Sequence, residues 1–199
     1  MGADTVAVTT VTVIDAVEHK KLGFIETGKG HHEIAFTEDD RYAFVSNRIS
    51  GTVSVIDVQT LKKIKDIETG PVPLSMGVSP LGKALYVADG KEGTVTVVDV
   101  DSLEVRSRIQ AKPGLGPMRF SKDGRWGLVV NPAADEVIVI DASTDALAHT
   151  INIGKQPFHV SFTRAFGYIR SLGTADVEEL RQRQVGNGFR LGDIARISY

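Results

Sequence analysis

A six-residue strand pattern ending in an acid recurs along this chain at a constant interval. Thr10-Val11-Thr12-Val13-Ile14-Asp15 returns as Thr52-Val53-Ser54-Val55-Ile56-Asp57, then Thr94-Val95-Thr96-Val97-Val98-Asp99, then Glu136-Val137-Ile138-Val139-Ile140-Asp141. The acids stand at 15, 57, 99 and 141, a step of 42 residues each time. Other positions keep that phase: Ile25, Ile67, Ile109 and Ile151 form one series, and Phe36, Val78, Phe120 and Phe162 another. Self-similarity at such a period is the mark of a repeat architecture.

Within each period the pattern predicts four short strands. In the second unit they run over residues 52–58, 61–68, 73–78 and 84–89, separated by Gln59-Thr60, Gly70-Pro71 and Pro80-Leu81-Gly82. The alternation in Thr-Val-Ser-Val is that of strands with two distinct faces, and the β-branched residues suit a pleated surface. Helical solenoids are excluded by this period-2 patterning. Four strands in about 42 residues is one blade of a β-propeller, whose sheets must stack around an axis to bury both faces. The fold class is therefore all-β: four-stranded blades, about four of them, forming a partial ring or a fragment of one. The units begin and end in mid-blade, so the chain either belongs to a larger ring, pairs with a second copy, or closes alone.

Departures from the repeat begin in the fourth unit, whose turn at residues 163–167 is about two residues short. Gly173-Thr174 restarts the pattern, but Ala175 to Gln184 is rich in helix formers. Residues 1–174 are thus expected to be propeller blades and 175–199 a short helical or irregular tail covering the last sheet edge.

The chain resembles the YVTN β-propeller repeat family. Phe44-Val45-Ser46-Asn47, Tyr86-Val87-Ala88-Asp89 and Leu128-Val129-Val130-Asn131 are variants of its signature, and the Gly51 to Asp57 segment and the glycines at 28, 70 and 154 also fit. That resemblance covers about residues 5 to 174. Similar propellers include surface-layer proteins and the haem d1 domain of cytochrome cd1. The resemblance implies a periplasmic or extracellular location, although Met1-Gly2-Ala3-Asp4 lacks the basic and apolar regions of a signal peptide.

The sharpest candidate site is His31-His32-Glu33, which opens an innermost strand; Glu33 is in phase with Ser75, Pro117 and His159. His31, His32, Glu33 and His159 are the candidate ligand-binding residues at the channel mouth, with His31 and His32 as metal ligands. His32 and His159 lie three blades apart, so one metal would scarcely take both. No resident cofactor is predicted; a haem or a divalent metal is the group these histidines would take. Asp15, Asp57, Asp99 and Asp141 are expected to cap turns, as are Asn47, Asp89 and Asn131. Lys29, Arg48, Arg119, Arg125 and Lys155 are the basic residues that could meet an anion on one rim.

The 199 residues are 24% charged with a formal net charge of −2, without the basic stripe of a nucleic-acid binder. There are no cysteines, which excludes disulfides, thiolate metal sites and covalent c-type haem. No stretch is long and apolar enough to span a bilayer. No nucleophile elbow, P-loop or dinucleotide fingerprint occurs. The expected function is a non-catalytic scaffold or a module binding a small ligand or protein, with self-association through open blade edges. The alternatives are a haem- or metal-binding redox component similar to the haem d1 propellers, and a hydrolase with channel-bound calcium, which would need more convergent oxygens than Glu33 supplies.

Overall fold

The computed structural model describes residues 9–162, 167–171 and 196–197. Among them are seventeen strands and no helix. An antiparallel pair, β1 (Thr10–Asp15) and β2 (Lys20–Glu26), comes first. The first blade holds β3 (His31–Phe36), β4 (Tyr42–Asn47), β5 (Thr52–Asp57) and β6 (Lys62–Glu68). The second holds β7 (Pro73–Ser79), β8 (Ala84–Asp89), β9 (Thr94–Asp99) and β10 (Val105–Gln110). The third holds β11 (Met118–Phe120), β12 (Trp126–Asn131), β13 (Glu136–Asp141) and β14 (Ala146–Asn152). A last sheet joins β15 (Pro157–Phe162) to β16 (Gly167–Ser171), against which β17 (Arg196–Ile197) lies parallel. In the three complete blades the strands pair in sequence order, all antiparallel. The helix expected after Thr174 lies outside the described residues.

The blades depend on one another. In β8, Ala84, Tyr86 and Ala88 point to the third blade, where they meet Met118, Val129, Ile138 and Ile140. Leu85 and Val87 point the other way, to Phe44, Val53, Val55 and Ile67 of the first blade. Period-2 alternation thus delivers two apolar faces, and neither is buried without a neighbour. Each fully buried Val, Leu or Ile contributes roughly 1.5–3 kcal/mol.

The repeated aspartates work in the outer hairpins. Asp57 Oδ1 accepts hydrogen bonds from the Thr60 N–H and hydroxyl, both 2.7 Å. Asp15 accepts from the amides of Val17 and Glu18, Asp99 from those of Asp101 and Ser102, and Asp141 from the Ser143 amide. A residue in the left-handed region closes each of these turns, at His19, Leu61, Leu103 and Asp145. In the second and third blades the crossing loops are held by the last residue of the second strand, whereas Asn47 of the first blade, also expected to cap a turn, donates instead to Thr52 Oγ1 and Ser54 Oγ of its own blade. Asp89 accepts from the Val72, Lys91 and Glu92 amides, and Asn131 holds the Lys112 and Pro113 carbonyls while accepting from Ala133 and Ala134. Gly70 sits against Asp89 at φ +134°, and a Cβ there would stand 2.7 Å from the carboxylate; glycine alone suits both demands.

The Thr60 hydroxyl and amide hold the Asp57 carboxyl below its usual range, and the Ser102 and Glu18 amides do the same for Asp99 and Asp15. A carboxyl depressed on folding contributes stability that is complete above about 3.8 and disappears as pH falls through the folded-state value. Asp57→Asn keeps an oxygen acceptor and removes the charge. Its urea midpoint, followed from pH 5 to pH 2, should therefore fall less steeply than that of the wild type.

Candidate functional site

The inner strands β3, β7, β11 and β15 carry the candidate residues. A β-bulge between His31 and Ile34 takes Glu33 out of the ladder, and its amide donates instead to Ser46 Oγ at 3.0 Å. Bulges recur at Pro73/Ser75 and Pro157/His159, so the phase inferred from sequence is also a phase of backbone geometry. Such bulges re-aim side chains. Here the Glu33 carboxylate is turned across the blades.

Ser75 Oγ donates to Glu33 Oε2 at 2.7 Å and the Met76 amide donates to the same oxygen at 2.8 Å. Arg119 Nη1 donates to Oε1 at 2.9 Å. Ser75 Oγ in turn accepts from the Met118 amide at 2.9 Å. One carboxylate therefore ties the inner strands of three consecutive blades, and both its oxygens are engaged. Glu33 and Arg119, expected separately as a ligand and as part of an anion site, are partners of each other.

His32 Nδ1 lies 3.0 Å from the Leu74 carbonyl of the next blade. A carbonyl only accepts, so Nδ1 carries the proton and the neutral ring keeps its lone pair on Nε2. His31 is exposed on the same rim. His159 is elsewhere, in a cleft of about 490 Å³ with Arg119, Lys122, Phe120 and Phe162. Among the described residues no three His, Asp or Glu side chains converge on a point that could hold a metal. His32 therefore offers Nε2 alone as an acceptor on this rim.

A groove of about 380 Å³ on the His31/His32 rim was missed by sequence reasoning. It is lined by Arg48, Val72, Leu74, Gly90, Lys91 and Leu115, with Gly114, Gly116 and Pro132 completing the wall. Its lining follows the repeat: Arg48, Gly90 and Pro132 share one phase, and His32, Leu74 and Gly116 share another. Blade-to-blade differences at these positions make the groove, with glycines opening it, Val72, Leu74 and Leu115 flooring it, and exposed Arg48 and Lys91 supplying positive charge. Neither cation is paired with a carboxylate among the described residues. Of the other basic candidates, Arg125 stacks on Trp126 and faces Asp141 at 3.6 Å.

Residues 1–115 match the model of the YNCE-like beta-propeller family. The chain belongs to that family. This YNCE-like propeller is also similar in structure to hydrazine synthase of Kuenenia stuttgartiensis, with a TM-score of 0.67 and 25% identity over 77% of this chain and 45% of that one. It is similar as well to dihydro-heme d1 dehydrogenase NirN in complex with DHE, with a TM-score of 0.64 and 23% identity over 72% of this chain and 33% of that one. It spans less than half the length of either. A comparison with curated protein sequences found no match.

Because Glu33 joins three blades, Glu33→Ala should lower stability by about 2–4 kcal/mol in urea unfolding, leaving Arg119 and Ser75 without their acceptor. Glu33→Gln keeps one acceptor oxygen and should recover part of that loss.

Proposed function

We propose that this YNCE-like propeller is a non-catalytic binding module acting outside the cytoplasm, and that the rim groove beside His32 takes a small anionic molecule with an apolar body. One observation carries this reading: two unpaired cations, Arg48 and Lys91, stand over an apolar floor opened by glycines. A guanidinium and an ammonium suit carboxylate or phosphate, and the Val72, Leu74 and Leu115 floor suits the apolar remainder. The acid best placed for proton transfer, Glu33, is held in a structural network instead. The resemblance of the repeats to the YVTN family supports the extracytoplasmic part of this reading.

His32 supports a narrower version in which the ligand is a haem. A haem is planar, apolar and carboxylated, and His32 Nε2 is the nitrogen that would reach its iron. The haem, when bound, supplies redox chemistry; the protein orients the imidazole through Leu74 and meets the carboxylates with Arg48 and Lys91.

Titrations with haem and with an iron-free porphyrin dicarboxylate, followed by absorbance, test both versions. Arg48→Glu combined with Lys91→Glu should weaken either ligand at least tenfold. His32→Ala should alter the haem spectrum and leave the metal-free porphyrin unaffected. Equal affinity of the charge-reversed and wild-type proteins for all anionic ligands would overturn the groove as the site.

A further inference from the structure

Taking the rim groove as the binding site, as proposed above, we infer that it selects molecules with two acidic groups at opposite ends of an apolar body, and that Gly90 is the residue that sets this specificity.

The two cations of the groove stand on different blades. Arg48 follows β4 of the first blade, and Lys91 follows β8 of the second. Leu74 lies between those strands. On one side its carbonyl accepts from Ser46 Oγ of β4 at 3.3 Å; on the other its own strand, β7, pairs with β8, Pro73 opposite Asp89. Sheets packed face to face stand about 10 Å apart. The two positive charges therefore rise on either side of an apolar floor, and like charges with no carboxylate between them keep apart. A ligand with one acid meets one cation and leaves the other unpaired. A ligand with an acid at each end of an apolar body meets both and covers the floor between them.

The depth of that floor depends on Gly90. In the same phase the first blade carries Arg48 and the third Pro132, so the repeat itself accepts a side chain here. Nor does the backbone demand glycine, because Gly90 is not among the glycines with positive φ. Its amide donates to the Val72 carbonyl at 3.0 Å and its carbonyl accepts from the Gly114 amide at 2.9 Å, which pins it between the two crossing loops. A Cβ at this position would stand 2.5 Å from Leu74 Cδ1 and 3.2 Å from the Leu115 carbonyl oxygen. Glycine at 90 is thus what lets the Leu74 side chain lie flat against the backbone. With a methyl group there the pinned backbone holds its place, and Leu74 swings up into the space between Arg48 and Lys91. A glycine carries an entropic cost that its conformation does not require at this site; the open floor is what it provides in return.

Biphenyl bearing a carboxylate at each far end and biphenyl bearing only one share an apolar body and differ by a single acid. Titrated against the whole chain and followed by their own fluorescence, the dicarboxylate should bind at least tenfold more tightly than the monoacid. Arg48→Gln alone, or Lys91→Gln alone, should bring the dicarboxylate down to about the affinity of the monoacid. Gly90→Ala should weaken both ligands at least tenfold, and Gly90→Ala combined with Leu74→Ala should recover most of that loss, which a general loss of stability would not allow. Equal affinities for the two biphenyls, both reduced by Arg48→Glu combined with Lys91→Glu, would overturn the two-acid specificity and leave the groove as the site. Affinities that the charge reversal does not change, or no binding of either ligand at millimolar concentration, would overturn both. A Gly90→Ala protein that binds like the wild type, or one that Leu74→Ala fails to rescue, would overturn the role of Gly90.

Discussion

The stacking of sheets face to face is the interaction on which the rest of this structure depends. A four-stranded blade made of alternating β-branched residues has no inside of its own. Leu85 and Val87 need the first blade, and Tyr86 and Ala88 need the third. The 42-residue period is the sequence record of that requirement. A position that is apolar in one blade is apolar in the next because each blade serves as wall for the one before and the one after. Beside β1 and β2, which form a two-stranded sheet among the described residues, Ile14 lies open where Ile56, Val98 and Ile140 of the same phase are buried.

Given that stacking, polar residues divide into two kinds. Those in phase with one another maintain the scaffold: the turn aspartates, and the Asn or Asp that closes each second strand, which ties strands within its blade at Asn47 and holds the crossing loop at Asp89 and Asn131. Those that break phase are free to acquire chemistry. Arg48 stands where the next blades have Gly90 and Pro132, and Lys91 where they have Ile49 and Ala133. The rim where these differences gather has His31 and His32 beside it. Function in such a fold is written as deviation from the repeat.

Strand boundaries in the second unit, the turn role of the aspartates and the innermost placement of His31-His32-Glu33 were all legible in the sequence, because each depends on local pattern or on phase. The commitment of Glu33 was not. Its partners Ser75 and Arg119 lie 42 and 86 residues away, and a bulge decides which way the carboxylate points. Nor was the groove legible, since it is shaped by Gly90, Gly114 and Gly116, whose contribution is space. One signal could have found it: comparison of the repeats at the residues just after each second strand, where Arg48 and Lys91 depart from their equivalents.

Native-state hydrogen exchange resolved by residue tests the mutual dependence of the blades most directly. If each sheet is stable only against its neighbours, the central amides of β8, β9, β12 and β13 exchange through one shared opening, with a single free energy equal to that of global unfolding. Separate opening free energies for the second and third blades would show that they stand independently, and would contradict the account.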